Sequence, residues 1–121
     1  MSYELVWEPH GVVLNFSGQL APDDPLNATA DYEGDSRFDE LLYVIADYTQ
    51  ITGCDARPDN IENVWAIDWA AKHSNPKIKK AIVTTSAEVI KLATHYRNDL
   101  GTAYPVEIFA TRAEARAWLN A

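Results

Sequence analysis

Leu41-Leu42-Tyr43-Val44-Ile45-Ala46-Asp47-Tyr48-Thr49 is the run that decides how the rest of the chain is read. Six apolar residues, Leu41 to Ala46, follow one another without a polar alternate and are rich in β-branched and aromatic types. A strand with water on one face alternates, whereas a strand buried on both faces does not. The run therefore predicts the central strand of a covered sheet, ending near Asp47. In open α/β sheets ligands sit outside the carboxyl ends of strands, so Asp47 and the polar residues after it are the first place to look for function.

Toward the N-terminus, Tyr3 to Glu8 alternates apolar and polar residues, and Val12 to Phe16 follows after Pro9-His10-Gly11. That is a hairpin with His10 in its turn. Gly18 closes the second strand. Asp23-Asp24-Pro25 then places capping carboxylates before a proline suited to the first turn of a helix running to Tyr32. The apolar face of this helix is thin (Leu26, Ala30, Tyr32), which predicts loose packing on the sheet. Between Asp23 and Glu40 there are seven acidic residues against one basic, Arg37, so this flank is either solvated or a docking face for a basic partner.

Toward the C-terminus, Gln50 to Asn60 carries Gly53 and Pro58 and reads as a loop, and Asp59 with Glu62 offers a capping box for a helix ending before Pro76. On that helix Ile61, Val64, Trp65, Ile67, Trp69 and Ala71 spread over an arc of roughly 200°, wider than a helix on a sheet needs. Asp68 and Lys72, four residues apart, fall inside the arc. Either the arc is shared between the sheet and a neighbouring helix or second subunit, with a polar seam between, or Asp68 lines a pocket walled by Trp65 and Trp69. Lys77-Ile78-Lys79-Lys80 leads into a short buried strand, Ala81 to Val83. Thr85 with Glu88 caps a helix whose stripe is Val89, Leu92, Ala93, Tyr96 and Leu100, ending at Gly101. A strand, Val106 to Phe109, precedes a last helix capped by Thr111 and Glu114 and carrying Ala115, Trp118 and Leu119. The order is β-β-α-β-α-β-α-β-α. It predicts an α/β fold with a mixed five-stranded sheet and four helices, parallel in its later strands, with right-handed crossovers.

With 121 residues the chain suits one domain spanning 1–121. The net charge of −8 repels phosphate backbones and anionic lipid, which argues against nucleic acid as a partner. No basic region precedes an apolar one at Met1-Ser2-Tyr3-Glu4, and no apolar run reaches bilayer length, so no membrane span and a cytoplasmic location are expected. Cys54 is alone, and His10, His73 and His95 lack ligand spacing; no metal and no cofactor are expected. A hydrolase would need an imidazole within reach of a nucleophile, and neither His73 nor His95 is so placed, so the reading is of a protein that is not an enzyme.

Gly18-Gln19-Leu20 after the second strand, Leu42 to Asp47 in the central strand, and Phe109-Ala110-Thr111 through Trp118-Leu119 give the chain, over essentially its whole length, a resemblance to STAS domains of the SpoIIAA-like group. These are bacterial anti-sigma-factor antagonists, related to lipid-binding CRAL-TRIO domains. The resemblance implies a STAS-like fold and a regulatory role. In that group the central strand's Asp is followed by Asp-Ser-Ser-Gly, whose first serine is phosphorylated. Counted from Asp47, the second aspartate falls on Asp55, the acceptor serine on Ala56, the next serine on Arg57 and the glycine on Pro58. A switch that adds roughly two negative charges has no hydroxyl to act on at Ala56.

The loops after the third, fourth and fifth strands gather Asp47, Tyr48, Thr49, Thr52, Cys54 and Asp55, then Thr84, Thr85 and Ser86, then Thr111 and Arg112. Arg57 beside Cys54 would favour thiolate, although an inert loop cysteine is the simpler reading. The candidate binding set is Asp47, Thr49, Thr52, Cys54, Asp55, Arg57, Trp65, Asp68 and Trp69, with no catalytic residue. It suits a non-catalytic interaction module that binds a protein partner through Thr49 to Pro58 and Trp65/Trp69, or covers its wide arc as a homodimer. The alternative is a carrier or sensor holding a small apolar ligand or lipid beside the Trp65/Trp69 helix. Asp68 and Lys72 interrupt the arc, which favours the first.

Overall fold

Five strands lie in the sheet in the order in which they occur in the chain. The computed structural model describes residues 2–101 and 103–120. The strands are β1 (Tyr3–Glu8), β2 (Gly11–Leu20), β3 (Tyr43–Cys54), β4 (Lys79–Val83) and β5 (Val106–Phe109), and the helices are α1 (Asp24–Glu33), α2 (Pro58–Ala71), α3 (Ala87–Thr94) and α4 (Arg112–Leu119). β1 pairs antiparallel with β2 across Pro9-His10, and every later pairing is parallel. The expected order and mixed sheet are what is found, with β3 at the centre.

Each step from β2 to β5 moves one place in the same direction, so right-handed crossovers put α1, α2 and α3 on one face. No strand follows α4, and it covers the other. The alternation along β3 sorts its side chains accordingly. Val44, Ala46 and Tyr48 join Leu14, Phe16 and Tyr32 in the larger core. Ile45 joins Val13, Ala81, Val83 and Ala115 under α4. The rings of Phe16 and Tyr48 stack 4.4 Å apart, tying β2 to β3 beneath the helices.

β3 is longer than its apolar run. Gln50 to Cys54, expected as a loop, pairs with Ser17 to Leu20 of β2 through two register shifts. Gly18 lies between those shifts with a φ of 70°, a left-handed conformation that glycine adopts at no steric cost and that a bulge requires. Gly11 serves packing instead, because a Cβ there would lie 2.1 Å from the Tyr43 ring.

Several local expectations are corrected by tertiary contacts. α1 packs tightly, burying Pro25, Ala28, Thr29 and Tyr32, while Ala30 is exposed. Asp23 makes no cap bond at its start; Asp24 instead accepts from Ala21 N at 2.7 Å and Ser2 Oγ at 2.6 Å. α2 opens with Asn60 Oδ1 accepting from Arg57 N at 2.9 Å, two residues earlier than the Asp59/Glu62 box. Ser86, not Thr85, caps α3 by accepting from Val89 N. The stripe through Tyr96 continues as a π-turn, His95–Asp99, rather than as α-helix. The Thr111/Glu114 box at α4 is as expected.

Candidate functional site

Asp47 is the last residue of β3 paired to β4, at the carboxyl end of the main sheet. Its Oδ1 accepts from Thr49 N at 2.8 Å and Thr49 Oγ1 at 2.6 Å; its Oδ2 accepts from Arg112 Nε at 3.0 Å and Nη2 at 2.7 Å. Arg112 Nη2 also donates to Asn15 Oδ1 at 2.6 Å. Burial is the largest single influence on the Asp47 carboxyl and works to raise its pKa; the Thr49 and Arg112 hydrogen bonds together outweigh it, holding Asp47 below the ordinary value. The cluster floors an open groove of about 510 Å³, bounded by Tyr3, Glu4, Ser17 and Gln50. Every Asp47 oxygen is already occupied, so the cluster braces α4 against β2 and β3.

Seven residues of extended chain separate Asp47 from Cys54, about 23 Å at the rise of a strand, so the sequence candidates do not form one site. Thr52 is exposed on the β2–β3 arm. Cys54, Asp55 and Arg57 sit with Pro22 and Ala56 around a shallow dip before α2. The Cys54 thiol points to Ala56 O at 3.9 Å, and burial, with the Glu88 and Asp55 charges, raises its pKa. Arg57 is not among the groups that set the state of this thiol. Ala56 itself is half-buried and packs against the core.

On α2 the wide arc splits. Ile61, Val64 and Asp68 face inward and are buried. Trp65 and Trp69 stack on the flank, centroids 5.7 Å apart and planes at 24°. Trp65 Nε1 donates to Gly101 O at 3.3 Å, while Trp69 is 47% exposed with Lys72 Nζ 5.3 Å above its ring. Lys72 is thus not the partner of Asp68. Asp68, wholly buried, accepts on Oδ2 from Lys80 Nζ at 2.5 Å and Tyr96 OH at 2.5 Å. The Lys80 ammonium lies 5.6 to 5.9 Å from the rings of Tyr32, Tyr96 and Tyr104. Burial, then Asp68, drives the Tyr96 hydroxyl well above its ordinary pKa, so it stays a donor.

An apolar cavity does lie beside the helix that carries Trp65 and Trp69, but on its inner face and not walled by the two tryptophans. It sits between the sheet and the inner faces of α1, α2 and α3, lined by Phe16, Val44, Ile61, Val64 and Leu92 with Lys80 and Tyr96 at its polar end. Its volume is about 60 Å³, space for a few water-sized molecules. Neither tryptophan lines it. Arg112 stands at the Asp47 edge, where the loop reading gathers it; Asn15, Lys80, Tyr96 and Glu33 are absent from the sequence candidates. A lysine opening a buried strand and an aspartate inside an apolar arc were the available signal for the Lys80–Asp68 pair; nothing in the local pattern marks Glu33. Among the described residues no group of three or more His, Cys, Asp or Glu side chains could hold a metal ion, and no helix is long and apolar enough to cross a membrane.

No protein-family model matches the chain, and no curated protein matches it significantly. Solved structures do. The anti-sigma factor antagonist SpoIIAA in its unphosphorylated form superposes with a TM-score of 0.65 at 14% identity, over 98% of this chain and 96% of that one. The fold is SpoIIAA-like. An uncharacterized DUF3478-family protein with a SpoIIAA-like fold from Shewanella loihica superposes with a TM-score of 0.54 at 13% identity, over 97% and 91% of the two chains. The SpoIIAA-like expectation formed from the order of elements is thus met at the level of the fold. Within it, the turn leading into α2 carries Ala56-Arg57-Pro58 where the resemblance places a phosphorylatable serine.

Proposed function

We propose that the chain is a non-catalytic regulatory module that binds a protein partner across the flank of α2 and the Asp55–Arg57 turn ahead of it. The observation that carries this reading is Trp69, a large indole left 47% exposed on a rigid helix, stacked on Trp65 and flanked by Lys72. Exposed tryptophans held by their neighbours are the residues that most often anchor interfaces, since little side-chain entropy is lost when a partner covers them. Asp55 and Arg57 are exposed in the turn ahead of the same helix and would supply rim charges that set register and encounter rate. The SpoIIAA-like fold supports a partner-binding role of the kind named for the anti-sigma factor antagonist. With alanine at position 56, binding here is not switched by phosphorylation at that position, and control lies in partner concentration or in the module itself. His95, on the π-turn, has both ring nitrogens taken by carboxylates, Asp99 at 2.9 Å and Glu62 at 3.0 Å.

A photo-crosslinking residue at Trp69 should capture a partner that excess wild-type protein displaces, while the same residue at Glu107 on the far edge strand should not. Trp69→Ala should compete about 30-fold more weakly than wild type, the loss expected of a hot spot of about 2 kcal/mol. Equal capture from both positions, or undiminished competition by Trp69→Ala, would sink the assignment. The second reading, an apolar-ligand carrier, rests on the cavity lined by Phe16 and Val64. At about 60 Å³ it would have to expand by movement of α1 before it held a lipid chain, and native mass spectrometry of the purified protein would reveal such a ligand as a non-covalent adduct.

A further inference from the structure

Beneath α2, the Lys80–Asp68–Tyr96 cluster is incomplete as a set of fixed charges. Asp68 Oδ2 takes both donors, from Lys80 and Tyr96, while Asp68 Oδ1 is buried with no partner. Among the described residues two further buried oxygens have no partner, Glu33 Oε2 and the Tyr32 hydroxyl, and Glu33 faces Asp68 across the packing of α1 on α2. Two ionised carboxylates cannot satisfy each other, because both only accept. One proton between them satisfies both oxygens. Glu33 is also the last residue of α1, where the helix carbonyls present partial negative charge and disfavour a second anion. Lys80 supplies one positive charge, already taken by Asp68.

We propose that Glu33 carries a proton at neutral pH and donates it to Asp68 Oδ1, latching the end of α1 onto α2 and keeping the apolar cavity closed. α1 supplies Pro25 and Thr29 to that cavity wall, and Lys80 and Tyr96 stand at its polar end, so the latch and the cavity share their parts. The groups facing Glu33 are Asp68 from α2, Lys80 from β4, Tyr32 from α1, Tyr96 from the π-turn and Tyr104 from the segment before β5, with Asp35 and Asp39 across the outer cleft. Tyr32, Tyr96 and Tyr104 are all pushed up, by burial first, and stay neutral, so Lys80 is the cluster's one cation facing both carboxyls. Burial first, then the hydrogen bond and charge of Asp68, push Glu33 from 4.5 up to about 9. Ionisation above that point sets two carboxylates against one ammonium and releases α1.

The latch is independent of the partner-binding reading and is tested without a partner. In a carbon-13 titration of the wild-type protein, the Glu33 carboxyl carbon should keep its protonated shift through neutral pH and move only near pH 9. Ionisation near 4.5 would overturn the proposal. Stability supplies the second test. Below pH 4.5 folded and unfolded chains both hold the proton and its contribution is complete; between 4.5 and about 9 only the folded chain holds it, so the folding constant falls about tenfold per pH unit relative to Glu33→Gln, whose amide cannot ionise. Parallel pH profiles for the two proteins would overturn the proposal. Nile red uptake should rise above pH 9 in wild type and stay flat in Glu33→Gln; a rise in both would remove the cavity from the latch. Should Glu33→Gln fail to fold, the wild-type titration decides.

Discussion

Asp47 and Asp68 are both carboxylates set among apolar neighbours and both paired to a cation, yet they are built differently. Asp47 is at the edge of the sheet, its partner Arg112 has 42% of its side chain exposed, and each of its oxygens accepts two hydrogen bonds. Asp68 and Lys80 have 0% and 8% of their side chains exposed, and one Asp68 oxygen lacks a partner from any ionised group. At the sheet edge a carboxylate is stabilised as an anion by an arginine fork and local donors. In the interior the cost of desolvating charge is met by a compact knot of one ammonium, one phenol and one shared proton. Each pair joins distant chain segments, but the exposed one is weakened by taking up a proton and the buried one by losing the proton held at Glu33.

The comparison can be broken most severely at Asp68. Asp68→Ala leaves the Lys80 ammonium buried without its counter-ion and should cost about 3–5 kcal/mol in urea unfolding. A loss below about 1 kcal/mol would mean that the knot is solvated and the contrast false. Arg112→Ala should cost less, about 1–2 kcal/mol, because Thr49 still holds Asp47 and water reaches the freed oxygen. It should also flatten the acid limb. Asp47 is depressed in the folded state, so its contribution is present above the ordinary value of 3.8 and is lost as pH falls through the folded pKa. Glu8, held at about 2 first by the Arg116 hydrogen bonds and also by Tyr43, keeps its own acid-side contribution in that variant. An acid limb unchanged by Arg112→Ala would show that the fork does not set the Asp47 pKa. The smallest effect, about 0.5–1 kcal/mol, is expected of Thr49→Val, which removes one donor and leaves the backbone N–H of residue 49 in place. If it exceeded the loss in Arg112→Ala, the local turn, rather than the arginine, would be what stabilises Asp47.

The candidate site was less legible than the fold, and the reason differs from residue to residue. Trp65 and Trp69 were visible because the arc on α2 was too wide for one contact. Their separation from Asp68 was not, since rotational position on a helix says nothing of which neighbour waits on each side. Lys72 lies four residues from Asp68 and looked like its partner; the actual partner, Lys80, comes from the next strand, where the register of β3 with β4 places it. Glu33 carried no signal, because an acidic residue at the end of an acidic flank is ordinarily solvated, and only the packing of α1 on α2 buries it. Thr52 and Cys54 read as loop residues because Gly53 between them is a strand breaker in isolation. Pairing of Gly53 with Gln19 and of Cys54 with Leu20 keeps the segment extended, with Thr52 at the register shift between paired residues.

The sequence by itself determined the order of elements, the central place of Tyr43 to Ala46, the hairpin at Pro9-His10 and the Thr111/Glu114 cap, though Leu41 and Leu42 at the head of the same apolar run precede the strand and Leu42 is exposed. Each depends on side chains within a few residues of one another and on burial that the local pattern records. The length of β3, the burial of Glu33 and the pairing of Asp47 with Arg112 and of Asp68 with Lys80 and Tyr96 were decided only by the tertiary structure. They depend on which backbone donor or buried charge arrives from a distant segment, and in a low-dielectric interior such a partner outweighs the local propensities that can be read along the chain.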